Sequence, residues 1–178
     1  PWRAPDAVET IIANSGAVLR IGGDRAFYAP KTDHIQMPPP HAFANASGWS
    51  STIVHEAGHW SGVASRLNRD LKNSFGSQDY AREEVRVELA QAMICAELDV
   101  DCDFPNTVAY LASWLDRLKS DRKEVFRAAA DAQRIADYLL AFHPDYAKAI
   151  THDGGGKAPS DTATRASPRV PADFAEAA

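Results

Sequence analysis

Two histidines four positions apart, with a glutamate directly after the first, are the residues of this sequence best suited to chemistry. They lie in the segment His55-Glu56-Ala57-Gly58-His59. On a helix, side chains at this spacing project from one face about one turn apart, so both imidazoles could bind a single Zn²⁺. Glu56 would lie to the side of the pair, where its carboxylate could take a proton from a zinc-bound water. The pattern predicts a zinc site built on a helix.

The chemistry that such a site favours is the hydrolysis of an amide bond. Zinc lowers the pKa of a bound water to about 7 and polarises the carbonyl that this water attacks. Glu56 would act as the general base in that step and then return the proton to the leaving amine. The alternative is a helix whose histidines face solvent or pair with carboxylates, with no metal bound.

A third zinc ligand must come from elsewhere in the fold, because a catalytic zinc site has three protein ligands and an open position. The segment 82–88 supplies two candidates, Glu84 and Glu88, one helical turn apart on the same face. We predict Glu84 as the ligand and Glu88 as the acid that orients a ligating histidine, with Glu88 as the alternative ligand. The competing interpretation is a solvated helix face whose acids pair with Arg82 and Arg86.

Short β-type runs precede the site helix, and helical patterns follow it. Three runs between residues 17 and 37 are separated by turns short enough for hairpins, which predicts a small antiparallel sheet. From about Ser47 the period of the apolar residues changes to that of a helix. Further helices are predicted over Asp79 to Leu98, from Asn106 and from Asp121. The predicted fold is α+β, with the antiparallel sheet packed on the site helix and about three further helices.

The composition is that of a globular domain without a membrane span. Hydrophobic residues make up 45% and charged residues 24% of the chain, and no apolar run approaches the roughly 18 residues that cross a bilayer. The net charge of -5 disfavours a general grip on phosphates, although Arg66, Arg69 and Lys72 could form a local basic patch. The two cysteines, Cys95 and Cys102, have no zinc-finger spacing and are interpreted as reduced thiols of a cytoplasmic protein.

The predicted domain organisation follows from a change in composition near residue 150. Residues 1–150 are predicted to form one domain, whereas residues 151–178, rich in Gly, Pro, Ser, Thr and Ala, are predicted to be a flexible low-complexity tail. The sequence begins with Pro1 rather than Met and carries no signal peptide, which predicts that it is part of a longer protein.

Several motifs together resemble the ArdC-type antirestriction proteins, to which modules of plasmid primases and phage polyvalent proteins are related. The resemblance spans roughly residues 20 to 142 and rests on these segments: Ile53 to Trp60, Ser65 to Asp70, Tyr80 to Glu84, Cys95 to Leu98, Ala112 to Leu115 and Phe126 to Ala129. It implies a zincin-like C-terminal metallopeptidase domain in a bacterial protein encoded by a plasmid or mobile element. In that family a single-stranded-DNA-binding N-terminal domain precedes it, and the protein protects incoming plasmid DNA from host restriction. One departure is Val87, where the family pattern has a small residue.

The sequence leaves two functions open. In the first, the domain is a zinc peptidase that cleaves a host protein, such as a restriction component, laid antiparallel on the edge strand near residues 26 to 37. In the second, it is a catalytically silent zinc-fold module that blocks a restriction enzyme by binding, working with a single-stranded-DNA-binding N-terminal domain that is missing here. The intact Glu56 favours the first, whereas Glu56→Gln would leave the activity of the second unchanged.

Overall fold

The computed structural model of the chain describes residues 5–69, 78–102 and 123–147. Four α-helices, a short 3₁₀ helix (Pro40–Ala42) and a three-stranded sheet lie in these ranges. In chain order the α-helices and strands are helix α1 (Asp6–Ser15), strands β1 (Val18–Ile21), β2 (Phe27–Ala29) and β3 (His34–Met37), and helices α2 (Ala46–Trp60), α3 (Gln78–Glu97) and α4 (Lys123–Leu140). No helix in the described ranges is long and apolar enough to cross a membrane. The predicted α+β class is confirmed.

The sheet is mixed, with the strand order β1-β3-β2, so the prediction of a wholly antiparallel sheet was wrong. β2 and β3 pair antiparallel, as the short turn between them indicates. β1, however, pairs parallel with β3. The chain reverses after β1, as predicted, but β2 does not pair with β1. β3 lies between these two strands, and the β1–β2 turn passes the end of β3 at Met37. The amide of Gly22 donates to Met37 O at 2.9 Å and the side chain of Gln36 donates to Gly22 O at 2.7 Å, so this turn is fastened to β3.

One face of β3 forms the centre of the core. Ile35 and Met37 are fully buried there, in one apolar cluster with residues of all four helices. From α1 the cluster takes Val8, Ile11 and Ile12. The sequence patterns above did not reveal this first helix, whose ten residues are ended by a glycine, Gly16, in the left-handed conformation.

Helix α2 begins one residue before its predicted start. Its N-cap, Asn45, accepts a hydrogen bond from the amide of Gly48 at 2.8 Å, which satisfies one of the free donors of the first turn. The apolar stripe of α2 is buried against the sheet and the other helices and consists of Trp49, Ile53, Val54, Ala57 and Trp60. Packing of this stripe turns the polar face that carries His55 and His59 toward α3.

Helix α3 matches its prediction to within one residue at each end. The helix predicted from Asn106, the predicted start of the last helix at Asp121 and the predicted tail 151–178 all lie outside the described residues. In the described part, the last helix begins at Lys123. It packs mainly on α3 and also contacts α2, where Tyr138 lies against Trp60.

A cluster of charges centred on Arg86 fastens α3 to α4. Its guanidinium donates to Glu124 Oε1 at 2.8 Å and to Asp131 Oδ2 at 2.6 Å, and all three side chains are at most one-fifth exposed. Burial alone would raise the pKa values of Glu124 and Asp131, but Arg86 outweighs it and holds both pKa values below their usual range. Carboxyls with a lowered pKa stabilise the fold above their unfolded pKa of about 4, and this contribution disappears as the pH falls through the lowered values.

Arg86→Gln is therefore expected to lower the free energy of unfolding by about 2 kcal/mol at pH 7, and by much less at pH 3. Urea unfolding of both proteins at pH 7, 5 and 3 measures the difference. The control is Arg134→Gln, because Arg134 pairs with the same Asp131 from a position that is 68% exposed and should contribute under about 1 kcal/mol. A difference for Arg86→Gln that does not change with pH would contradict this role.

Candidate metal centre

His55 and His59 lie one turn apart on α2 with their rings facing each other. Their Nε2 atoms are 3.1 Å apart, and the ring centroids are 4.8 Å apart in an edge-to-face arrangement. Both side chains are mostly buried, with exposed fractions of 20% and 15%. The two nitrogens therefore point at the same small volume between α2 and α3.

Glu84 of α3 completes a group of three possible metal ligands. Its Oε2 lies 3.6 Å from His55 Nε2 and its Oε1 lies 3.3 Å from His59 Nε2. One ligand atom from each of the three residues lies within 4.8 Å of the others. Two imidazoles and one carboxylate are a donor set that suits a catalytic divalent cation with an open position. The structure thus brings together the three residues predicted as ligands, and their binding of a metal stays a prediction.

The two remaining predicted acids occupy different places. Glu56, the predicted general base, is 9% exposed, and no side chain of the described residues forms a hydrogen bond or ion pair with its carboxylate. Glu56 is close enough to His59 to contribute to raising that residue's pKa. Glu88 is buried on α3, one turn after Glu84, but it is not part of the group of three. Whether Glu88 orients a histidine stays a prediction.

A glutamine that the sequence analysis assigned no role holds His55 from behind. Gln91 Oε1 lies 3.1 Å from His55 Nδ1, and Gln91 Nε2 donates to Ser51 O at 3.1 Å. Because this second bond fixes which end of the amide faces the ring, Gln91 presents an acceptor to Nδ1, and Nε2 is left for a metal. Its position seven residues after Glu84, on the same face of α3, was the available signal.

His59 lies at the centre of the charged groups of this site. Burial lowers the pKa of His59, but the carboxylates of Glu83, Glu84 and Glu56 outweigh it and raise the pKa to about 10. Burial would raise the pKa of Glu84, but the rings of His55 and His59 hold it well below its usual range. Because only the neutral form of an imidazole ligates, a metal would compete with a proton for His59.

Gly58, between the two histidines, is where α3 comes closest to α2. A Cβ at this position would lie 2.7 Å from Cγ1 of Val87 and 3.5 Å from two further atoms of the same side chain. Val87 is fully buried. A glycine between the two histidines lets a neighbour approach that face of α2 closely, and the neighbour is α3. The larger residue at position 87 thus fits because its partner on α2 has no side chain.

Two arginines close the C-terminal end of α2. Arg66 donates to Trp60 O at 2.6 Å, lies 3.9 Å from the centroid of the Trp60 ring and pairs with Asp33 in the β2–β3 turn. Tyr28 of β2 also donates to Asp33, at 2.7 Å.

Arg69 donates to Gly58 O at 2.6 Å and pairs with Glu83. Cations here complement the negative end of the helix dipole. These two members of the predicted basic patch are thus engaged with acids, and Lys72 lies outside the described residues.

The comparison with protein families gives a clear result. Residues 6–131 match the model of the zincin-like metallopeptidases, a range that contains α1, the sheet, α2, α3 and the three candidate ligands. The chain belongs to the zincin-like metallopeptidase family. This confirms the fold that the resemblance implied.

This metallopeptidase domain is similar to parts of several longer proteins. It is 47% identical over 142 residues to a DNA primase TraC of Escherichia coli and 45% identical over 141 residues to the uncharacterized protein y4eC of Sinorhizobium fredii (79% of this chain each). These matches cover 13% of the primase and 46% of y4eC. Crystal structures of the antirestriction protein ArdC from plasmid R388 are similar in a Mn(II)-bound form (40% identity, TM-score 0.72) and a metal-free form (38% identity, TM-score 0.70). The matches cover 79% and 82% of this chain, and about half of each ArdC chain.

Proposed function

We propose that this chain is the zinc-dependent metallopeptidase domain of an antirestriction protein, which hydrolyses peptide bonds and protects incoming plasmid DNA from host restriction. The observation that carries the proposal is the group of His55, His59 and Glu84, whose ligand atoms lie within 4.8 Å of one another beside the buried Glu56. Likeness to a protein described as antirestriction ArdC, solved with Mn(II) bound, supports both the metal and the biological role.

Each site residue has a distinct part in the proposed reaction. His55, His59 and Glu84 would hold the ion, which when bound supplies the Lewis acidity that activates water and polarises a carbonyl. Glu56 would accept the proton of the attacking water on its carboxylate and pass it to the leaving amine. Glu56 is buried, and within the described part of the chain no side chain forms an ion pair with its carboxylate that would compete with that proton.

We propose zinc as the ion. Two imidazole nitrogens bind zinc more tightly than manganese at an equivalent site, since affinities of first-row divalent ions rise from manganese toward copper and remain high at zinc. The Mn(II) found in the ArdC structure supports a site that accepts divalent cations of more than one kind.

The substrate is proposed to be a protein, such as a component of the host restriction system, met in the bacterial cytoplasm. An extended segment would pair with β2, because β3 lies between two strands and has no free edge. Within residues 26 to 37, the strand proposed to bind the substrate is therefore β2, Phe27–Ala29. Backbone pairing at a strand edge gives affinity that is largely independent of sequence.

The second candidate is a catalytically silent module that blocks a restriction enzyme by binding, together with a single-stranded-DNA-binding domain in the longer protein. One observation favours it. This chain matches the Mn(II)-bound and the metal-free ArdC structures almost equally well, with TM-scores of 0.72 and 0.70. A fold that persists without its metal can present the same surface to a partner.

Metal content of the purified chain tests the site itself. About one ion per chain is expected in the wild type and in Glu88→Ala, and a loss of at least tenfold in affinity is expected in His55→Ala and in Glu84→Ala. Elemental analysis after dialysis against a trace of zinc measures the stoichiometry. His41→Ala is the matched control, because His41 is an exposed histidine outside the group of three. A wild type that binds no ion, or one whose ion depends on Glu88 and not on Glu84, would overturn the assignment.

A further inference from the structure

His59 has a carboxylate facing each of its two ring nitrogens. Glu84 Oε1 lies 3.3 Å from Nε2, on the side of the three candidate ligands. Glu83 Oε1 lies 3.7 Å from Nδ1, on the opposite side of the ring. At that distance the contact with Glu83 is electrostatic rather than a hydrogen bond. If Nε2, on the side of the candidate ligands, were to hold an ion, Nδ1 would remain for Glu83.

Glu83 is fixed in this position by Arg69. The guanidinium donates from Nε to both carboxylate oxygens at 3.2 Å and from Nη2 to Oε1 at 2.8 Å. Both side chains are nearly buried, with exposed fractions of 8% for Arg69 and 10% for Glu83. A forked pair of this kind holds a carboxylate in one orientation more strictly than a single contact would.

Arg69 is itself anchored to the end of α2. It donates from Nη2 to Gly58 O at 2.6 Å and from Nη1 to Ser61 Oγ at 2.9 Å. Its own backbone amide donates to Gly62 O at 2.7 Å. A continuous set of contacts thus runs from the backbone beside His59, through Arg69 and Glu83, to the far side of the His59 ring.

The two histidines are therefore supported by different chemistry. His55 faces the neutral amide of Gln91, whereas His59 faces the carboxylate of Glu83, which the guanidinium of Arg69 holds in place. The negative charge of a carboxylate facing Nδ1 favours the tautomer with the proton on that nitrogen and would make Nε2 a stronger donor to a metal. An amide fixes the tautomer but adds no charge.

We propose that Glu83, held by Arg69, is the positioning residue of His59. The sequence pattern gave such a part to Glu88, without specifying which histidine it orients. The inference rests on the proposed metal site. It assigns to Arg69 and Glu83 together a part of the metal affinity, although neither binds the ion.

Zinc affinity, measured by competition with a chromophoric chelator, tests this assignment on the full 178-residue chain. Glu83→Gln keeps the shape and an acceptor but removes the charge, and should weaken zinc binding about 10- to 100-fold. The double variant Arg69→Gln/Glu83→Gln leaves no buried charge unpaired, and should bind zinc about as weakly as Glu83→Gln while remaining folded. Arg86→Gln is the control, because it breaks a comparable buried ion pair on the other side of α3 and should leave the affinity within about twofold.

A second readout separates positioning from general loosening of the fold. In the ¹⁵N NMR spectrum of the zinc-loaded chain, the Nδ1–H signal of His59 should shift in Glu83→Gln, while that of His55 should stay in place. If Glu83→Gln bound zinc as tightly as the wild type does, this inference would be overturned and the proposed metal site would stand. So would a loss in Glu88→Gln that exceeds the loss in Glu83→Gln. A wild type that binds no zinc would overturn the proposed function and this inference with it.

Discussion

Replacing Glu56 with glutamine is expected to reduce peptide hydrolysis by about 10²- to 10⁴-fold, the usual contribution of a positioned general base. Glutamine has nearly the same shape but cannot accept the proton of the attacking water. The three candidate ligands are unchanged, so zinc should remain bound with about one ion per chain. The variant therefore separates the chemistry of the site from its construction.

Cleavage of a quenched fluorescent casein by the zinc-loaded chain measures this rate. Glu97→Gln is the matched control, since Glu97 is exposed at the end of α3 and should leave the rate unchanged. Transfer of a plasmid into a restricting host, with and without Glu56→Gln in the gene, tests whether hydrolysis serves protection. Equal protection by both forms would exclude the peptidase function as its basis and favour the silent interaction module.

Gly58→Ala is expected to destabilise the domain, although alanine is the better helix former. Helix propensity alone would favour the substitution by about 1 kcal/mol. Overpacking of a buried contact costs about 1–3 kcal/mol, and the new Cβ would lie 2.7 Å from Cγ1 of the fully buried Val87. Since the clash with a buried, β-branched side chain should cost toward the upper end of that range, the net expected loss is up to about 2 kcal/mol. Zinc affinity should fall as well, because relief of the clash requires α3, which carries Glu84, to move away from α2.

A double-mutant cycle makes this expectation specific. Val87→Ala alone should cost about 2 kcal/mol through the cavity it leaves, but in the background of Gly58→Ala its missing methyl groups make room for the new Cβ. The double variant should therefore be less destabilised than the sum of the single variants by at least about 1 kcal/mol. Urea unfolding of the metal-free proteins gives all four values. Additive effects would show that the two residues are not coupled.

The same helix offers an internal control for that cycle. A Cβ at Gly48 would meet Asn45 Oδ1 at 3.4 Å and Phe43 at 3.9 Å, which is close to ordinary contact. Gly48→Ala should consequently be neutral or stabilising, by up to about 1 kcal/mol. Equal destabilisation at both glycines would indicate a general intolerance of α2 rather than the contact with Val87.

Features that depend on neighbours along the chain were predictable from the sequence. The spacing of His55 and His59 gave one helix face, and the apolar period of α3 gave its bounds to within a residue. Glu84 could be singled out because an acidic helix, α3, follows the helix that carries the two histidines. The place of β1 could not be predicted, since pairing beside β3 depends on contacts distant in sequence. For the same reason the roles of Gln91 and Glu83 were missed: each depends on which faces of α2 and α3 meet.

The contact between Arg66 and Asp33 has a consequence for which bond of a bound peptide would lie at the candidate ligands. Arg66 joins the turn after β2 to the end of the helix that carries both histidines. The edge of β2 that no described strand covers is therefore held at a fixed distance from the candidate ligands. In a peptide that pairs with this edge, the bond that reaches the candidate ligands would be determined by its distance along the backbone from the residues paired with β2. Such a site would select substrates that can become extended, so unfolded or loosely structured segments would be cleaved ahead of folded ones.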